Sequence, residues 1–195
     1  MDNLIPEIKE YCYAILVNSR CGKFPFHNLQ HTLEVVKFTC LISIYEDVSE
    51  HAQDLLKIAA WFHDTGYAEC YKGHERKSEE KAKKIMAAQN FPLEDIQQVS
   101  QCIQATKMPQ LPKGNLEKII CDADLAHLAA PDFYQKNQAL RKEWEKVLNK
   151  RYNDKDWLRE SIQLLSSHKY FTSYGANILQ PAKNKNLYLL QEALG

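Results

Sequence analysis

Glycine is scarce in this chain: 6 of 195 residues. There is no Asn-Gly or Asp-Gly pair and no sustained period-2 alternation, so the short-range signals of β-hairpins are missing. No cysteine pair has the C-x-x-C spacing. The six cysteines (Cys12, Cys21, Cys40, Cys70, Cys102, Cys121) are scattered, which reads as reduced thiols in a cytoplasmic protein rather than a disulfide framework. Charge of one sign is not in excess, with 25 basic and 25 acidic residues. That balance removes the electrostatic footprint of a nucleic-acid or membrane-surface binder. No apolar run approaches membrane-spanning length. The N-terminal stretch "MDNLIPEIKEYCYAILVNSR" has neither a basic start nor a long apolar core, so it is not a secretory signal. A dinucleotide fingerprint and a P-loop are both absent.

What remains is helical spacing punctuated by stop signals. The pattern predicts an all-α bundle of about eight helices, 45% hydrophobic and 26% charged. A length of 195 residues suits a single all-α domain over 1–195. Helices are expected over about Leu4 to Ser19, Asn28 to Glu46 with Asn28 as N-cap, and Glu50 to Asp64. Others follow in "HERKSEEKAKKIMAAQ", "LEDIQQVSQCIQAT" and "LEKIICDADLAHLA", the last stopping at Pro131. "DFYQKNQALRKEWEKVL", "DWLRESIQLLSSH" and "NLYLLQEAL" close the chain.

One stretch breaks this pattern. In "AAWFHDTGY" an apolar helix runs into His63 and Asp64. Burying an imidazole beside a carboxylate is costly unless a hydrogen bond or a metal satisfies both. Other histidines and carboxylates fall where helices begin or end. His27 and His31 are four apart, on one helical face. Asp122 and Asp124 lie inside an otherwise apolar segment. Imidazoles and carboxylates are good ligands for divalent first-row metals, but periodicity alone selects no particular set.

The ordered set His31, His63-Asp64 and Asp124 resembles the H…HD…D signature of the HD superfamily of metal-dependent phosphohydrolases. "FHNLQHTLEVV", "AAWFHDTGY", "GHERKSEEKA" and "IICDADLAHLA" carry the likeness, which runs from about His27 to Pro131. It implies an HD-type core over residues 24–131, with the terminal helices packed on it. It implies that His31, His63, Asp64 and Asp124 hold a divalent ion (Mn, Co, Ni, Mg, Fe or Zn). It also implies a metal-activated water that attacks a small phosphate ester, a nucleotide or a related phosphomonoester or phosphodiester. Of the two aspartates in "DAD", Asp124 is the one that matches; Asp122 points elsewhere on the helix. Thr65-Gly66 reads as a turn leaving room around the metal.

Cyclic-nucleotide phosphodiesterase catalytic domains are similar in their Tyr-His-Asn-x-x-His, His-Asp, Ala-Thr-Asp and Cys-Ala-Asp-Leu elements. By that resemblance His27 donates the proton to the leaving oxygen, beside the ligand His31. Phe26 stands where that family has tyrosine, and Lys107 where it has aspartate. The likeness therefore extends to the chemistry and not to a cyclic-nucleotide substrate.

Other expectations concern the surroundings. His74, in the "H-E-x-x-S" element, is a candidate second-ion ligand or phosphate-facing residue, and Asp64 a candidate bridge. Lys72, Arg76 and Lys107 are candidates for substrate phosphate, while Lys77 reads as a solvated residue. His127 follows Asp124 on the same face and either supports the site or is a satisfied core histidine. His51 and His168 read as surface residues. Lys183 and Asn186 are candidates to reach the site from the terminal segment, and "ALRKEWEKVLNKRYNDKDW" reads as an exposed charged face. Two other functions fit the same motif: a catalytically silent metal- or nucleotide-binding module, and a di-iron oxygenase, which needs more ligands.

Overall fold

Helix starts in this protein are set by side chains that take up otherwise unpaired backbone amides. The Asn28 side chain accepts from the amides of Gln30 and His31, Ser49 from Ala52, and Asn153 from Asp156. Each satisfies donors that the first helical turn leaves open. In the computed structural model, which describes residues 4–194, nine α-helices result. They are α1 (Leu4–Asn18), α2 (Leu29–Tyr45), α3 (Glu50–Phe62), α4 (His74–Ala88), α5 (Leu93–Ala105), α6 (Asn115–Asp124), α7 (Phe133–Val147), α8 (Asp154–Ser167) and α9 (Gln180–Leu194). There is no strand among the described residues. The count agrees with the expected all-α bundle of about eight helices.

Stops are equally local. Asn90 (φ 58°) and Asn149 (φ 51°) adopt the left-handed conformation just beyond α4 and α7, where asparagine is among the residues that tolerate it. Two expected helices end earlier than their patterns implied. α3 closes at Phe62, and a 3-10 turn over Thr65–Ala68 follows. α6 closes at Asp124, and "LAHLA" tightens into a 3-10 turn, Leu125–Ala129. The shift matters because His63-Asp64 and Asp124 then sit at helix ends rather than within continuous helices.

α2 packs against both α3 and α6, and α5 against α3, α4 and α6. The core between them includes Ile42, Leu56, Phe62, Met86, Ile103 and Ile120. A smaller apolar cluster (Leu125, Leu128, Phe133, Leu165, Leu190) ties α7, α8 and α9 to the turn after α6. Dry packing on this scale fixes helix ends rigidly, because interiors pack at crystal-like density. α2, α3 and α6 can therefore deliver side chains from distant parts of the chain to one place. All six cysteines are free thiols.

Candidate metal centre

The start of α2 supplies His31, the end of α3 supplies His63 and Asp64, and the end of α6 supplies Asp124. Their polar atoms converge. His31 Nε2 lies 3.5 Å from Asp64 Oδ2 and 3.3 Å from Asp124 Oδ1. His63 Nε2 lies 3.3 Å from Asp64 Oδ2 and 3.7 Å from Asp124 Oδ1. His31, His63 and Asp124 each offer a ligand atom within 4.8 Å of the other two. His31, His63 and Asp64 are buried. His31 Nε2, His63 Nε2 and Asp64 Oδ2 are sequestered without any hydrogen-bond partner, a state that buried polar atoms rarely tolerate.

The tautomer of His63 explains why. Its Nδ1 is 2.8 Å from the Ala60 carbonyl. A carbonyl only accepts, so Nδ1 carries the proton and Nε2 must bind either another proton or a cation. The electrostatics agree. Burial works against the charged imidazole of His63, but the adjacent Asp64 carboxylate outweighs it and lifts the pKa to about 9. Burial likewise pushes Asp64 up, and the charge of His63 overrides it, holding Asp64 well below the carboxylate range. Asp124 is also lowered, its burial outweighed by the neighbouring imidazoles of His31 and His63. Two carboxylates beside the unpartnered Nε2 atoms of two imidazoles create a buried demand for positive charge, which protons or a cation can meet.

A second layer of side chains holds these groups. Gln110 Nε2 donates to Asp124 Oδ2 at 3.2 Å. His74 Nε2 is 3.4 Å from the other Asp64 oxygen, Oδ1. Its ring stacks on Tyr67 at 3.6 Å between centroids, and its Nδ1 donates to the Tyr71 carbonyl at 3.2 Å. The His127 Nδ1 donates to the Asp124 carbonyl at 3.1 Å, and burial drops the pKa of His127 to about 3. His127 is thus a neutral histidine braced against Phe26 and His31.

His27 stands beside His31, with ring centroids 5.6 Å apart. Its Nδ1 meets Glu143 Oε1 at 2.5 Å. Burial lowers the imidazole pKa of His27, but the Glu143 contact and the nearby carboxylates more than offset this, for a net rise. Glu143 sits in α7, inside the run expected to form an exposed face, yet it has no solvent exposure. That expectation fails because a helix with one buried face needs only a few inward positions, and here one of them is acidic. No local pattern marks Glu143, Gln110 or Tyr71; their partners are 116, 14 and 72 residues away.

Lys72, Arg76 and Lys107 come together around one cavity of about 290 Å³, with Gly73 and Gln104. Lys77 also borders it and pairs with Glu69 and Glu80. Asp122 does turn away from the site: it is fully buried and accepts from the Phe171 amide (2.9 Å) and from the Thr172 amide (2.9 Å) and hydroxyl (2.6 Å). The terminal segment does not reach the four ligand candidates. Lys183 is buried and donates to the His168 carbonyl, and Asn186 donates to the carbonyls of Leu128 and Ala130. His168 is correspondingly half-buried rather than fully exposed. Its ring lies edge-on to Tyr170, 4.6 Å away, beside Lys183. His51 reaches Asp95 at 2.8 Å from a side chain that is half exposed.

In this helical protein α2, α3 and α6 thus bring two histidines and two aspartates to one point, a divalent-metal type of donor set. The HD domain family model matches residues 28–129, more than half of the chain, and the protein belongs to that family. No curated protein matches the sequence. Among solved structures, the Lin1889 protein of Listeria innocua is similar, with a TM-score of 0.66 and 19% identity. The alignment covers 99% of this chain and 96% of that one; at that identity the likeness is one of fold. No helix among the described residues is long and apolar enough to cross a membrane.

Proposed function

We propose that this protein is a metal-dependent phosphohydrolase acting on a small phosphate ester, a nucleotide or a related phosphomonoester or phosphodiester. One observation carries the reading: nitrogen and oxygen atoms of His31, His63, Asp64 and Asp124 face one another in a buried space, three of them with no partner. Such a donor set fits a divalent ion, whose charge balances the two carboxylates. His31, His63, Asp64 and Asp124 would hold it, and His74, facing the second oxygen of Asp64, would serve a second ion. When bound, the metal supplies an activated water and a Lewis acid for the phosphoryl oxygen.

The remaining work belongs to the chain. Lys72, Arg76 and Lys107 offer cations to the substrate phosphate, because charge-assisted contacts are the strong ones for such groups. His27 gives a proton to the leaving oxygen. Its Nδ1 is already engaged, so that proton leaves from Nε2.

Hydrolysis of a panel of nucleotides, phosphomonoesters and phosphodiesters with Mn²⁺, Co²⁺, Ni²⁺, Mg²⁺, Fe²⁺ or Zn²⁺ tests this. The wild type is expected to turn over at least one ester and Asp64→Ala to lose that turnover. A wild type that binds metal yet hydrolyses nothing in the panel would replace the reading with that of a silent binding module.

A further inference from the structure

Glu143 is a carboxylate with no solvent exposure that receives four hydrogen bonds, and its two oxygens divide them. Oε2 accepts the backbone amides of Phe26 and His27, each at 2.9 Å. Oε1 accepts His27 Nδ1 at 2.5 Å and the Tyr71 hydroxyl at 2.9 Å. One oxygen thus fixes the backbone of the His27 turn, and the other fixes its ring. Among the described residues His27 is its one ion-pair partner; no lysine or arginine is there to neutralise it. Burying an ionised group is costly without such partners. A corner needing only an acceptor for two amides is served as well by a neutral side chain, so the charge calls for another explanation.

We infer that Glu143 is a positioning residue for His27 as proton donor, an inference that rests on the phosphohydrolase reading above. A carboxylate oxygen can only accept, so Nδ1 carries a proton and the ring is held in one orientation. The proton to be transferred is then on Nε2, the nitrogen that Glu143 does not touch. In the transfer, the Nε2–H bond breaks as the leaving oxygen takes the proton and the phosphorus–oxygen bond cleaves. The imidazole is left neutral, its proton still on Nδ1 and donated to Glu143. Tyr71 joins this arrangement to the far side of the site, since its hydroxyl donates to Glu143 while its carbonyl holds His74. α7, outside the matched residues 28–129, therefore completes the site with a group from the C-terminal part of the chain.

Glu143→Gln keeps an acceptor for the two amides but can turn a donor toward His27. The ring must then present a bare Nδ1 and hold its one proton on Nε2, where a neutral imidazole yields it poorly. The test compares the manganese-loaded wild type, Glu143→Gln, His27→Asn and the double variant on two esters. One is a nucleoside 5′-monophosphate, whose alkoxide leaving group needs a proton; the other is p-nitrophenyl phosphate, whose leaving group needs it far less. Glu143→Gln is expected to lower kcat on the nucleotide about 100-fold with KM unchanged, and on the activated ester about tenfold less severely. The double variant is expected to be no worse than His27→Asn, as for residues acting as one unit. Nitrogen-detected NMR of the histidine rings adds a readout that needs no turnover: Glu143→Gln should abolish the protonated Nδ1 signal of His27. Equal losses on both esters, additive losses in the double variant, or an unchanged Nδ1 signal would overturn the role of Glu143 in an otherwise active enzyme. No hydrolysis of either ester by the wild type would instead remove the phosphohydrolase reading, and this role with it.

Discussion

The Gly66 amide donates to the Ser78 hydroxyl at 2.8 Å, joining the turn that follows His63-Asp64 to the first turns of α4. A Cβ on Gly66 would lie 1.9 Å from the His74 carbonyl oxygen and 2.8 Å from the Ser78 amide nitrogen. The glycine in "HDTG" thus makes room for the backbone of α4, and not for the metal as the sequence had implied. That docking sets His74 against Asp64.

Gly66→Ala should push α4 off the turn and cost about 3 kcal/mol, the upper end for overpacking a tight site. Ser78→Ala leaves a buried amide unsatisfied and should cost about 1–3 kcal/mol. Urea unfolding of the two variants checks both. Wild-type stability in Gly66→Ala would mean that α4 is not seated in this way.

The two aspartates of "DAD" should separate cleanly. Asp122→Ala removes the acceptor for three donors from Phe171 and Thr172. It should lower stability by about 2–4 kcal/mol while folded molecules retain their bound metal. Asp124→Ala should do the reverse, losing metal with a smaller effect on the fold. Calorimetric unfolding alongside metal analysis of the folded fraction distinguishes them, and metal loss in Asp122→Ala would contradict the assignment.

Lys183 gives a pH dependence. Burial lowers its pKa to about 8, from 10.5. Between those values the unfolded chain binds the proton and the folded one releases it, so stability rises with pH across that window. Below about pH 8 the folded protein bears the full cost of a buried ammonium. Lys183→Met lacks this titration. Its stability relative to wild type should therefore fall by about 3 kcal/mol from pH 7.5 to pH 10.5, at about 1.4 kcal/mol per unit. A pH-independent difference would show that Lys183 titrates normally.

How far these groups could be read from sequence follows from how local their partners are. Asn28 as a helix cap and the grouping of His31 with His63-Asp64 and Asp124 both rest on short, ordered text, whereas α3 ends at Phe62, two residues before the expected Asp64. The cap is legible because caps act within three residues, and the motif because it recurs as a block. The burial of Glu143 and Lys183 was not legible for the opposite reason, although Lys183 was named as a candidate to reach the site. Both lie among charged or polar residues, and a buried charge looks like its exposed neighbours until the fold supplies a partner. His27 was legible as a candidate, but the group that orients it was not.

The central claim is that His31, His63, Asp64 and Asp124 form one divalent-metal site. Isothermal titration of metal-stripped protein with Mn²⁺, Co²⁺, Ni²⁺ and Zn²⁺, repeated on folded His63→Ala and Asp64→Ala, tests it most directly. The account predicts saturable binding of at least one ion per chain in the wild type, abolished or strongly weakened in both variants. No binding by the wild type, or undiminished binding by the variants, would contradict it.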